Sequence, residues 1–178
     1  NKAMLHYYFT SKEQLYETSL AETFAGVFSS AVKTVKDPNL SARQRVEKFI
    51  DLYINMLARN PDVPRLILQD LATGGARVRK IMLDVQERAS FLRAQPVREA
   101  LEEGMRRGEL RELDIGHTLV SIIGMTAFFF IGRPILGPAL GVETELTPEV
   151  VEARKRNVRD IVLNGICAEN PNRGGDEG

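Results

Sequence analysis

The chain has 178 residues, of which 43% are hydrophobic, and 24 basic and 24 acidic side chains give it a formal net charge of zero. A single cysteine excludes an intramolecular disulfide framework and a zinc-finger site. A neutral balance gives no general electrostatic attraction to nucleic acid or to an anionic membrane. Because the chain also lacks a secretory signal pattern, a reducing cytoplasm is the expected compartment.

Apolar residues recur every three or four positions along almost the whole chain, which is the period of a helix and predicts an all-α fold of seven or eight helices without a sheet. A first long helix is predicted over residues 11–36, before Asp37-Pro38. Ser41 and Gln44 have the spacing of a capping box and predict the start of the next helix. Asn60-Pro61 is suited to open a short helix after it.

Further along the chain, Gly74-Gly75 predicts the end of that short helix. Pro96 either kinks the following helix or begins a new one. Asp114 is suited to cap the most apolar segment, residues 115–132. Residues 133–146 are rich in glycine and proline and are predicted to form a bend and a loop before the last helix.

Segment 115–132 carries no formal charge over 18 residues, which is the lower limit for a membrane span. A helix that is apolar on all sides is usually buried, so we favour a central helix covered by the protein or by a second copy, and no membrane.

The last helix, predicted from Thr147-Pro148 to about Cys167, has an apolar strip flanked by charge. It packs either within the chain alone or also against its copy, in which case the last two helices of each subunit form a four-helix interface. The residues expected in this homodimer interface are Leu119, Ile122, Ile123, Phe129, Val151, Val158, Ile161 and Val162.

The middle helices contribute flexible and aromatic side chains with a few polar groups, the composition of an apolar ligand pocket. The same stripe is also typical of an ordinary helical core. The candidate ligand-binding residues are Tyr53, Met56, Met82, Gln86, Phe91, Met105, His117, Ser121 and Met125.

The sequence gives little support for catalysis. The two histidines, His6 and His117, are far apart and show no metal-ligand spacing, so neither a metal nor a cofactor is expected. Glu102 and Glu103 precede arginines at helical spacing and predict a salt-bridged surface rather than an acid–base site. We therefore expect that the protein is not an enzyme, although a helical enzyme is one of the alternatives.

The first twelve residues, NKAMLHYYFTSK, combine two lysines with aromatic side chains and contain no acid. Lysine, histidine and tyrosine side chains can contact phosphates, and an aromatic ring can pack on a thymine methyl group. This composition suits DNA binding despite the zero net charge of the whole chain.

The order of these residues resembles a known family. The run Leu5-His6-Tyr7-Tyr8-Phe9-Thr10-Ser11-Lys12-Glu13-Gln14-Leu15 resembles the end of the helix-turn-helix in TetR-family transcriptional regulators. The resemblance implies a TetR-like helical regulatory domain that forms a dimer through its last two long helices. It also implies a ligand-responsive regulator, most often a repressor, that binds a palindromic operator and is released by a small, largely apolar effector. The positions that match DNA-contacting residues of the family are Lys2, His6, Tyr7, Tyr8 and Lys12.

The resemblance divides the chain into three parts. Residues 1–36 are expected to be a remnant of the DNA-binding domain, with the recognition helix and a linker helix. Residues 37–168 are expected to form the ligand-binding and dimerisation domain, and residues 169–178 a flexible tail. Because the family places two helices before the recognition helix, we expect an N-terminally incomplete chain with little specific DNA affinity. The alternative is an all-helical small-molecule-binding or scaffold module without DNA binding.

Overall fold

The computed structural model describes residues 17–18, 20–23, 25–26, 29–30, 33, 37, 39–88 and 95–167, without the side chains of 85–88 and 95–97. The described residues between 17 and 33 are helical, and none of the described residues belongs to a strand, which confirms the all-α prediction. The helices with defined bounds are α1, Ala42–Arg59; α2, Asp62–Ala72; α3, Ala76–Arg88; α4, Gln95–Arg106; α5, Ile115–Leu140; and α6, Pro148–Ile166.

Three of these helices begin at the predicted caps. The Ser41 hydroxyl accepts a hydrogen bond from the Gln44 N–H (3.2 Å), and the Gln44 side chain accepts one from the Ser41 N–H (2.9 Å), which completes the capping box of α1. At the start of α5, Asp114 Oδ1 accepts from the His117 N–H (2.9 Å). Thr147 caps α6 in the same way. Each bond satisfies one of the N–H groups that the first turn of a helix leaves without a partner.

Asp114→Ala is expected to lower the melting temperature at neutral pH, because the His117 N–H loses its acceptor. The hydrogen bond from His117 holds the pKa of Asp114 below its usual range. The cap therefore contributes its stability above the unfolded-state pKa and loses it as the pH falls through the folded-state pKa. Thermal unfolding of the wild type and of Asp114→Ala at neutral and at acidic pH measures the loss of melting temperature at each pH. Glu112→Ala is the control, since Glu112 is exposed, and an equal loss in both variants would contradict the role of Asp114.

The turns around α2 differ in part from the sequence prediction. Asn60 does not cap α2: its side-chain amide donates to the Met56 carbonyl (2.9 Å) and closes the end of α1. Helix α2 begins at Asp62, and Pro61 makes no side-chain capping bond. Gly74 and Gly75 end this region as predicted, with φ values of 101° and 71° that favour glycine.

The predicted bend after residue 132 is wrong, because α5 continues to Leu140 through two prolines. A proline removes one helical hydrogen bond, but the end of this helix is held by other contacts. The Gly137 carbonyl accepts from the N–H groups of Gly141 and Val142. Gly141 has a φ of 66°, and a Cβ atom on Gly137 would lie 2.7 Å from the Val142 carbonyl oxygen. The close approach of the chain at Gly137 therefore secures the last turn.

The main core lies between α1, α5 and α6, with Leu101 of α4 beside them. Ile50 and Ile54 of α1 and Val158 of α6 have no exposed surface. A second, smaller cluster joins Leu20 to α2 and α3. Its other buried members are Val63, Val78 and Ile81.

Candidate functional site

Helix α5 is apolar on all sides, yet much of it is exposed. It is long and apolar enough to cross a membrane, and only 22% of its most apolar window is buried. Val120, Gly124, Phe128 and Ile135 recur at intervals of four and seven residues, so they lie along one side of the helix. The exposed large apolar residues of α5 are Val120, Ile123, Phe128, Ile135, Leu136 and Leu140. We refer to Val120, Ile123, Phe128 and Ile135, which lie toward one side of the helix, as the α5 apolar face.

The residues predicted for the dimer interface fall into three groups. Ile123 and Ile161 are 42% and 54% exposed. Leu119, Phe129 and Val151 are half-buried. The other three have at most 5% of their surface exposed and belong to the main core of the chain, so they offer almost nothing to a partner; they are Ile122, Val158 and Val162.

A small cavity of about 20 Å³ lies between α1, α4 and α5. This is enough for roughly one water molecule, so the cavity is not preformed for an effector. Its lining is almost entirely apolar and includes Val46, Phe49, Leu101, Leu119 and Ile122.

None of the candidate ligand-binding residues whose side chains the structure describes lines this cavity. Met56 is part of the main core, and Tyr53, Met105 and Met125 pack against it. Burial raises the pKa of Tyr53 to about 12. Met82 instead packs against the second cluster.

Two further candidates lie on the surface of α5. His117 and Ser121 are exposed, and the Ser121 hydroxyl donates to the His117 carbonyl oxygen (2.8 Å). Gln86 and Phe91 lie outside the described side chains. The described candidates therefore occupy the core, the second cluster and the surface rather than one site.

Arg45 connects the wall of the cavity with Asp37, which precedes α1. It lines the cavity, donates to the Asp37 carbonyl oxygen (3.1 Å) and forms an ion pair with Glu103 of α4 (3.4 Å). Glu103 also pairs with Arg107, as predicted for the salt-bridged surface of α4, whereas Glu102 pairs with the preceding Arg98 (3.8 Å) and not with a following arginine. Sequence reasoning did not single out Arg45, because its partners are distant in the chain.

Two arginines flank the ring of Phe129. The guanidinium carbon of Arg154 lies 4.9 Å from the ring centroid and that of Arg133 lies 5.7 Å from it, distances at which a cation is attracted to an aromatic face. Arg154 also donates to the Met125 carbonyl oxygen (2.6 Å) and to the Asn157 side chain (3.1 Å). Burial lowers the pKa of both arginines. Sequence reasoning missed this cluster; its one local signal is that Arg133 is the first charge after the uncharged segment.

A family model described as "Tetracyclin repressor-like, C-terminal domain" matches residues 43–162. The chain belongs to the TetR family. The match extends from the first turn of α1 into α6, so the cavity, the α5 apolar face and the arginine cluster all lie mainly within the regulatory domain of this TetR-family chain. A comparison with curated proteins finds no match.

The DNA-contacting candidates of this TetR-family chain lie outside both the matched range and the described residues. They are Lys2, His6, Tyr7, Tyr8 and Lys12. Among the described residues, no group of three or more histidine, cysteine or acidic side chains is arranged to hold a metal ion.

Proposed function

We propose that the chain is the regulatory part of a cytoplasmic, ligand-responsive transcriptional regulator, not an enzyme, that acts as a repressor. The whole regulator binds operator DNA as a homodimer and leaves the DNA when a small, largely apolar ligand binds. The observation that carries this proposal is the family match over residues 43–162. The proposal includes three parts, with residues 1–36 as a remnant of the DNA-binding domain, residues 37–168 as the ligand-binding and dimerisation domain, and residues 169–178 as a flexible tail.

The α5 apolar face supports the dimer. Soluble monomers rarely leave a large contiguous apolar patch in water, and a second copy of the chain covers such a patch symmetrically. Val120, Ile123 and Phe128 of α5 are available for this contact, and α6 adds Ile161. Two helices from each subunit then form the four-helix interface.

The small cavity supports a ligand response. An effector that enters between α1, α4 and α5 has to displace apolar side chains such as Phe49, because the space present holds only about one water molecule. Enlarging the cavity moves Arg45, whose bond to the Asp37 carbonyl joins it to the residues that precede α1. The ligand then favours one of two arrangements of the residues that precede α1, which is the requirement for ligand-controlled DNA release.

The test begins with the gene upstream of Asn1. The proposal expects two short helices with a helix-turn-helix pattern there, directly before residues 1–12. If no such helices are encoded, the alternative of a small-molecule-binding or scaffold module without DNA binding is favoured.

The protein translated with its upstream residues is expected to select a palindromic sequence from a random DNA pool. The 178-residue chain alone is expected to bind the selected DNA weakly. Lys12→Ala in the longer protein is expected to weaken binding to all sequences and to reduce its salt dependence, because a lysine–phosphate contact carries no sequence information. Fluorescence anisotropy at several salt concentrations measures both effects. Tight, sequence-specific binding by the 178-residue chain would contradict the proposed division into domains.

A further inference from the structure

The arginine cluster around Phe129 contains donors that none of the described residues satisfies. Nε and Nη1 of Arg133 and Nε of Arg154 are buried and have no hydrogen-bond acceptor within that part of the chain. The ion pairs of the described residues include neither arginine. Buried polar groups in native proteins are rarely left without partners, and such exceptions are expected at functional sites.

Among the described residues, the charge that acts on Arg133 is also only positive. Arg65 adds a third positive charge that acts on Arg133. The ring of Phe129 attracts both guanidinium groups but accepts no conventional hydrogen bond from their buried N–H groups. A net positive, partly buried site with unpaired guanidinium N–H groups is suited to a carboxylate, which accepts charge-assisted hydrogen bonds from such donors.

We propose that Arg133 and Arg154 bind the carboxylate of a small apolar organic acid beside the ring of Phe129. The apolar surroundings fit the body of such a ligand, since Phe130 packs edge-on against Phe129 with ring centroids 5.4 Å apart. Arg133 is half-buried, so its side chain can swing outward to admit the acid. The binding of the acid does not depend on the proposed function. Only the role of the acid as an effector rests on it.

This site is separate from the small cavity. The cavity lining on α5 extends from Thr118 to Ile122, and Arg133 lies roughly 16 Å further along the helix at the standard rise per residue. Binding at the two places can therefore be measured separately.

The test uses the purified 178-residue chain with 4-phenylbutyrate and its neutral amide, 4-phenylbutanamide, as probes in titration calorimetry. The acid is expected to bind at least about 10-fold more tightly than the amide, because only the acid forms charge-assisted bonds. Arg133→Gln is expected to remove this preference and to leave the affinity for the amide unchanged. Arg156→Gln is the matched control, since Arg156 is an exposed arginine of α6, and it is expected to keep the preference.

A second measurement distinguishes ligand binding from a structural role. Without ligand, Arg133→Met is expected to keep or raise the melting temperature, because a buried unpaired charge is removed. Equal affinities for acid and amide in the wild type, an unchanged preference in Arg133→Gln, or a lower melting temperature of Arg133→Met would each overturn the proposal. None of these measurements involves DNA, so failure of the carboxylate site and failure of the proposed regulator are distinguishable.

Discussion

Val120→Glu is expected to convert a dimer of the 178-residue chain into monomers. Val120 is 68% exposed on the α5 apolar face, where the proposed second copy covers it. In a symmetric dimer the substitution places two carboxylates in the same interface, and each loses its water without gaining a partner. The dissociation constant is expected to rise at least about 100-fold, which corresponds to roughly 2.7 kcal/mol. Sedimentation velocity over a range of concentrations measures this change.

Leu83→Glu is the matched control for this prediction. Leu83 of α3 is also a large exposed apolar residue (48%), but it lies outside the α5 apolar face, so the dimer is expected to remain. A far-UV circular dichroism spectrum that is the same for both variants shows that the helices are retained. A wild-type monomer at all concentrations, or a Val120→Glu variant that dimerises like the wild type, would contradict the proposed interface.

Ile54→Ala is expected to produce the largest loss of stability. Ile54 lies in the middle of α1 with none of its surface exposed, in the cluster that joins α1 to α5 and α6. Removing its buried carbon atoms leaves a cavity in a tightly packed region, which costs about 2–5 kcal/mol. For a chain of this size the melting temperature is expected to fall by about 2–4 °C for each kcal/mol lost. Chemical and thermal unfolding measure the change.

Leu68→Ala makes a similar truncation at an exposed position and serves as the control. Leu68 of α2 is 47% exposed, so its truncation is expected to cost less than about 1 kcal/mol. Because Ile54 does not belong to the α5 apolar face, its substitution is expected to leave the dissociation constant of the dimer nearly unchanged. Similar losses for Ile54 and Leu68 would show that α1 does not occupy the centre of the core.

The starts of α1, α5 and α6 were predicted well because their signals are local. The side chains of Ser41, Asp114 and Thr147 each bond to an N–H group three residues later, so the sequence contains both partners. The end of α5 was not predicted, because Gly137 owes its role to the returning chain at Val142. Prolines inside a helix are unfavourable by themselves, and only this later contact shows why the helix continues through them.

The candidate ligand-binding residues could not be assigned from the sequence, because their surroundings depend on distant parts of the chain. Tyr53 and Phe49 both lie on α1 and are both aromatic, yet Phe49 lines the small cavity and Tyr53 does not. Composition and spacing place both residues on apolar faces of the same helix, but the rotation of α1 against α4 and α5 decides which of them meets a cavity. Arg45 and Arg154 were missed for a related reason, since Arg45 pairs with Glu103 of α4 and Arg154 lies over the Phe129 ring of α5.

By itself, the sequence determined the all-α class, the caps of the main helices and the resemblance to the TetR family, because these depend on residues close together in the chain. It did not determine which side of α5 is buried, because α5 is apolar on all sides and its pattern does not distinguish one face from another. Only the packing of α5 against α1 and α6 buried Ile122 and left Val120 exposed. The same packing brought Arg133 and Arg154 to one aromatic ring, although 21 positions separate them in the sequence.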